Sequence, residues 1–369
     1  MPANFDLSAL ALKAVCPGNE ILYDDKGMPS VMVKIPKMTY AQLGMGSSTA
    51  VHPAFIVNGQ EVNEIYISKF MNIVKNSRAY SLPGQDFANN YTFDQSRKFC
   101  EDKGAGWHMM TRMEWGLILR WCQNNGVMPK GNNDYGKHSS ETNYKAIPMT
   151  YTTDTPPKIA HTAGGTGPLT WYHDQTPSGI ADIVGDGSEW HGGIRRVGRE
   201  IQVLVNNNGA DSANAQTAAA STWMAINGEA TGDADLYLTP DGSGTTTGSI
   251  KVQRVSGSAI KYVTTDPGAW STSATFTFAN ISCDTNITAA AKLLLADLGL
   301  LQYDGNTELF SGYEATLYMD NGERLFYSGC SYGLPTRGLA SFYSNSYSSR
   351  SYATPNVGFR SAFVNLPSV

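Results

Sequence analysis

The chain has 369 residues, 41% of them hydrophobic and 16% charged, with a formal net charge of −5. That apolar content suffices for a packed core in one large or two moderate domains, and it argues against disorder even though charge is below the usual quarter. A net negative chain whose densest basic pair is Arg195-Arg196 is not an electrostatic nucleic-acid binder.

Met1 to Asp6 carry no basic stretch, and the apolar patch from Leu7 to Val15 is broken by Ser8 and Lys13, so no signal peptide is read. No apolar run approaches the ~18 residues that span a bilayer, so no membrane insertion is expected. Synthesis in the cytoplasm is expected, and an extracellular role then needs another route, such as assembly into a virion. Residues 1–50 read as an N-terminal segment. Short strands are expected at Val31-Met32-Val33 and Phe55-Ile56-Val57, with Asn58-Gly59 a turn dipeptide before Glu61-Val62.

Thr92-Phe93-Asp94-Gln95 is a capping box and predicts a helix to Lys103, stopped by Gly104. Thr111-Arg112-Met113-Glu114 is a second. It opens a helix that ends at Asn125-Gly126 and carries Trp115, Ile118, Leu119 and Cys122 on one apolar face. From about 127 to 178 the chain is polar and turn-rich. Residues 197–282, rich in Gly, Thr, Ser, Ala and Asp, read as a β-rich insertion with alternating pieces at 201–205 and 250–253. A last helix is predicted from Ala289 to Leu298, stopped by Gly299. Strands follow at 315–318 and 324–327, and a closing strand runs from Phe359 to Val364.

The residues that carry chemistry are sparse. Cys16, Cys100, Cys122, Cys283 and Cys330 are odd in number and form no C-x-x-C, so free thiols are expected rather than a disulfide framework. His52, His108, His138, His161, His173 and His191 include no H-x-x-x-H spacing. There is no G-x-S-x-G and no P-loop; Gly242-Ser243-Gly244-Thr245 lacks the phosphate-binding Lys. His173-Asp174 and His191 read as polar loop residues. Asp182, Asp186 and Glu189 come nearest to a Ca²⁺ ligand set, but no metal, cofactor or catalytic residue is expected.

Four segments occur in a telling order. They are Glu61-Val62-Asn63-Glu64-Ile65-Tyr66, Met110-Thr111-Arg112-Met113-Glu114-Trp115, the run from Gly179 to Trp190 (Gly-Ile-Ala-Asp-Ile-Val-Gly-Asp-Gly-Ser-Glu-Trp), and Asn356-Val357-Gly358-Phe359-Arg360. Together they resemble the formylglycine-generating-enzyme type of C-type-lectin-like fold, with Asp186 where that family usually has Asn. The resemblance implies an α+β chain with a C-type-lectin-like domain in two parts, 51–196 and 283–369, around the β-rich insertion. Trp115 and Trp190 should then bury apolar area, and Glu114, Glu189 and Arg360 should satisfy one another or nearby backbone. The copper enzymes of the family use two C-terminal cysteines a few residues apart. Only Cys330 lies there, and one thiol cannot supply two soft ligands to Cu(I), so no enzyme is expected.

The segment 330–356 carries the functional expectation. Residues 341–352 comprise six Ser, four aromatics, Asn345 and Arg350, the composition of a paratope. Met, Trp, Lys, Glu and Gln make up 57 of the 369 residues, so about seven are expected after Glu323, and none occurs there. Those five are the residues that no pyrimidine-ending codon encodes. The pattern is similar to that of the variable proteins of diversity-generating retroelements, in which adenines of Asn codons are randomised on this same fold. That family's variable stretch often begins Arg-Gly-Gly-Ser/Asn-Trp; Tyr327-Ser328-Gly329-Cys330-Ser331 stands here, without the Trp. The resemblance implies a receptor-binding protein of a phage or prophage tail, displayed on a virion or at a cell surface. It also implies homotrimer assembly and a host-surface protein or glycan as receptor. The expected contact residues are Tyr332, Leu334, Thr336, Phe342, Tyr343, Ser344, Asn345, Ser346, Tyr347, Ser348, Arg350 and Tyr352. The alternatives are a fixed-sequence carbohydrate-binding module and a formylglycine-generating-type oxidase.

Overall fold

The computed structural model describes residues 7–268, 272–318, 320–345 and 347–366. The chain is α+β, as expected: among the described residues four α-helices accompany sheets that hold most of the regular secondary structure. Among the described residues no helix is long and apolar enough to cross a membrane.

Local signals set the helices. Leu7–Val15 forms α1. Phe93–Glu101 forms α2, with Thr92 and Gln95 satisfying each other's backbone N–H groups in the expected capping box. It stops two residues short of Lys103. The backbone turns at Gly104 (φ +121°) and drives Lys103 into the core. There the ammonium lies 3.3 Å from the centre of the Trp107 ring and donates to Ser30 Oγ at 2.9 Å.

Arg112–Asn124 forms α3, again behind a complete capping box, from Thr111 to Glu114. The sequence predicted one apolar face, yet the helix is buried nearly all round. Its second face meets α4, Ala289–Asp297, capped by Thr288 and closed by Gly299 at φ +62°. The arginines of α3 satisfy the carbonyls left open where α4 ends. Arg112 donates to Leu298 O and Gly299 O (2.6 and 2.8 Å), Arg120 to Ala296 O and Leu301 O (3.1 and 2.6 Å).

A five-stranded sheet runs Asn19–Tyr23, Pro29–Pro36, Glu64–Ser68, Ser361–Phe363, Trp107–Met109. A larger sheet, of twelve strands among the described residues, has Ser188–Val197 near its middle, between Glu323–Ser328 and Glu200–Val203. Residues of the 197–282 stretch supply Glu200–Val203, Met224–Ile226, Tyr237–Leu238, Lys251–Ser256, Ala259–Val263 and Ala274–Thr277 to it. Asn58 and Gly59 both take positive φ (51° and 74°) in the expected hairpin turn between Ile56–Val57 and Gln60–Glu61.

The closing strand expected from Phe359 to Val364 is shorter, Ser361–Phe363, and a separate strand, Val357–Gly358, precedes it. Val357–Gly358 pairs in parallel with Ser188–Val197, whereas Ser361–Phe363 joins the other sheet. The break falls at Phe359-Arg360, because Arg360 turns inward between the sheets. Its guanidinium holds both carboxylate oxygens of Glu189 (2.9 and 3.0 Å) and the carbonyls of Ser68, Lys69, Ala181 and Asp182. Trp115 and Trp190 are fully buried, as expected. Glu114 pairs with His108 (2.8 Å) and with Thr111 N and Asn207 rather than with Glu189 or Arg360.

Candidate ligand-binding surface

The segment 330–356 is framed by strands inside the larger sheet. Phe342–Ser344 sits between Glu314–Leu317 and Glu323–Ser328. The loop before it is tied down by Trp115 Nε1 on Leu339 O (2.9 Å) and Asn133 Nδ2 on Arg337 O (3.0 Å). In the loop after it, Ser348 Oγ accepts from Asn345 N and Asn345 Oδ1 accepts from Tyr347 N, both at 2.9 Å. Leu325 N donates to Ser348 O and anchors that turn to the sheet. Short Ser and Asn side chains suit this work because they bond to nearby backbone.

Side chains alternate across a strand. Tyr327 and Tyr343 are direct cross-strand partners on one face, and their rings stack at 4.7 Å and 18°. Tyr352 continues the stack at 6.5 Å, and Tyr347 meets Tyr352 at 5.8 Å. Trp190 lies edge-on to Tyr327 (5.2 Å), and Arg337 covers Tyr343 (4.5 Å). The result is an aromatic ladder that begins buried and ends at Tyr347, which is 64% exposed. Burial pushes the Tyr327 and Tyr343 hydroxyls well above the ordinary tyrosine range, so both stay neutral.

The expected contact residues divide accordingly. Thr336 and Tyr347 are exposed; Tyr332, Leu334, Asn345, Arg350 and Tyr352 are half-buried. Tyr332 lies beside Tyr135 and His161 (5.8 and 5.7 Å). Phe342, Tyr343, Ser344 and Ser348 are buried and present no surface to a partner. Phe342 faces the core, against Phe276, Phe278 and Phe326. Tyr343 stands one residue on, inside the ladder, and Ser348 is spent on its own turn. Ser346 lies outside the described residues. Arg350 is a clamp: it donates to both oxygens of Glu323 (2.6 and 2.9 Å), to Asp94 (2.8 Å) and to Gln216 O (2.9 Å).

Sequence reasoning missed Tyr327, Trp190, Arg337 and Glu323 as neighbours of this surface. Tyr327 had a usable signal, since period-2 alternation over Leu325-Phe326-Tyr327 separates a core Phe from its neighbours. Asp94 and Gln216 had none, lying 256 and 134 residues from Arg350. Glu323 also borders a cavity of about 420 Å³ lined by Arg195, Gln202 and Trp223.

All five cysteines are free, and burial pushes the Cys330 thiol up to about 12. His173 lies in a turn, as expected, but is buried, and His191 sits in the Ser188–Val197 strand against Trp115 (4.6 Å) rather than in a loop. Among the described residues no three His, Cys, Asp or Glu side chains are placed to hold a metal ion.

Asp186 accepts from Asn132 Nδ2 (2.7 Å), Thr162 N (2.8 Å) and Thr162 Oγ1 (2.8 Å). Burial, foremost, and the nearby Asp182 carboxylate push its pKa up from 3.8. The native chain therefore holds a proton that the unfolded chain releases, so stability falls as pH rises above about 4 through the folded value. Asp186→Asn should raise the unfolding free energy at pH 8 by about 1–2 kcal/mol, one pKa unit being worth about 1.4 kcal/mol. The gain should shrink at pH 5, and urea melts at the two pH values read the difference.

Compared with protein-family models the chain matches none, and the comparison with curated proteins returned no match either.

Proposed function

We propose that the chain has a C-type-lectin-like fold of the formylglycine-generating-enzyme type and works as a receptor- or ligand-binding protein. In this reading it is a variable protein of a diversity-generating retroelement, carried on a phage or prophage tail as a tropism determinant. The observation that carries the reading is a division of labour within one segment. Phe342, Tyr343, Ser344 and Ser348 are buried in a hydrogen-bonded frame, while Tyr332, Leu334, Thr336, Asn345, Tyr347 and Tyr352 reach solvent. A rigid scaffold with open aromatic and small polar tips suits a contact surface whose identity can change without unfolding its support. The loss of five residue types after Glu323 supports diversification. A host-surface protein or glycan fits the Tyr/Asn/Thr chemistry, and homotrimeric display would add avidity without new contacts. The reading gives the protein no catalytic or cofactor role.

Sequencing this gene across a population grown from one clone tests the proposal. Substitutions should concentrate at the solvent-reaching positions, spare Phe342, Ser344 and Ser348, and be matched by a near-copy template beside a reverse transcriptase. Uniform sequence from 330 to 356 with no template would sink diversification and leave a fixed carbohydrate-binding module. Binding has its own test. Tyr347→Ala and Tyr352→Ala should each weaken capture of the receptor by ~2 kcal/mol while the protein stays folded. Wild-type affinity in the folded double variant would remove this surface from consideration.

A further inference from the structure

A second cavity lies away from the aromatic ladder, where the Pro29–Pro36 strand passes α3. It encloses about 210 Å³. An apolar cavity of ~150 Å³ already holds a benzene ring, so this one suits a molecule of a single ring. Val33, Ile35, Met38, Leu117 and Trp121 form its apolar walls. The charged side chains on its lining are engaged elsewhere. Lys34 pairs with Glu64 at 2.5 Å, and the Asp174 carboxylate accepts from Thr176 N and Oγ1 (2.9 and 2.8 Å).

His173 distinguishes this cavity from a gap in the packing. Its Nδ1 accepts from Ile180 N at 2.8 Å, which leaves the ring proton on Nε2. Nε2 has no hydrogen-bond partner among the described residues, yet it is not sealed off as the Nε2 atoms of His52 and His191 are. The residue is only 4% exposed and lines the cavity, so that N–H opens into it. Burial, foremost, pushes the His173 pKa down to about 4 against the pull of Asp174, so the ring is a neutral donor at pH 7. A donor left unpaired when an apolar molecule displaces water is costly, and an acceptor on that molecule removes the cost.

We propose that this cavity binds a small uncharged molecule, one ring bearing a single carbonyl-type acceptor, its apolar body between Val33, Leu117 and Trp121 and its oxygen accepting from His173 Nε2. An uncharged ligand follows from a neutral donor among apolar walls, because no free countercharge offsets the desolvation of an ion. A hydroxyl fits less well than a carbonyl. Its own hydrogen would need an acceptor, and both Asp174 oxygens already serve Thr176.

The test is an NMR titration of the full chain with acetophenone, beside ethylbenzene, which has the same ring and no oxygen. The Trp121 indole N–H, identified by its loss in Trp121→Phe, reports binding at the cavity wall. Acetophenone should shift it saturably with a Kd of about 1 mM or tighter. His173→Asn keeps an oxygen to accept from Ile180 N and withdraws the donor from the cavity. It should weaken acetophenone by about fivefold or more and ethylbenzene by less than about twofold. Met38→Trp, which fills the cavity from its wall, should block both ligands. Circular dichroism melts establish that each variant is folded. No acetophenone binding by the wild type at ten times that concentration, no loss specific to acetophenone in folded His173→Asn, or undiminished binding in folded Met38→Trp would each overturn the proposal.

Discussion

Arg360→Met should destabilise the protein by about 3–5 kcal/mol, the usual cost of removing one partner from a buried ion pair. Arg360 is fully buried, and its donors serve Glu189 and four backbone carbonyls from two separate stretches, Ser68-Lys69 and Ala181-Asp182. Met keeps most of the volume and supplies none of the donors. Four carbonyls and a carboxylate then lie buried without their partner. Burial, foremost, already raises the pKa of Glu189 against the pull of Arg360. Without Arg360 that carboxyl takes up a proton more readily, so the variant should regain part of its stability as pH falls. Replacing Glu189 as well, in Arg360→Met/Glu189→Leu, should recover part of the loss, because the second change removes the orphaned charge. Urea unfolding of the three proteins measures this; a single-variant loss below about 1 kcal/mol would mean the pair contributes no more than an exposed one.

Gly116→Ala should cost about 3 kcal/mol, although Ala is the better helix former by about 1 kcal/mol. A Cβ at position 116 would overlap the carbonyl oxygen of Asp297 and lie 2.8 Å from its carbonyl carbon. Those are backbone atoms, and Arg112 and Arg120 hold that end of α4 by its carbonyls. No side chain can rotate away, so the helices must separate, and overpacking outweighs propensity. Thermal melting gives the stability; a variant as stable as wild type would show that α3 and α4 slide apart freely.

Some features were legible because their causes are local. In each capping box a Thr hydroxyl and a Gln or Glu three residues on satisfy two backbone donors within one turn, so α2 and α3 announce themselves. Asn58-Gly59 does the same for a hairpin, since both residues tolerate positive φ. The length of α2 was not legible, because Lys103 is drawn to Trp107 and Ser30 by packing from elsewhere in the chain. The second buried face of α3 was equally hidden: Arg112 and Arg120 look like surface residues until the end of α4 arrives, 176 to 187 residues later.

The candidate surface divides in the same way. The sequence alone determined that 330–356 is rich in Tyr and Ser, free of five residue types, and bounded by strand-forming stretches. It also determined that Phe342 and Tyr343 point opposite ways, because a strand alternates. Only the tertiary structure decided which of the two meets the core. That choice belongs to the neighbours: Phe276, Phe278 and Phe326 on one side, Tyr327 and Trp190 on the other. A one-residue shift in the pairing with Glu323–Ser328 would exchange the two rings, and that register is fixed by long-range contacts that no local pattern encodes.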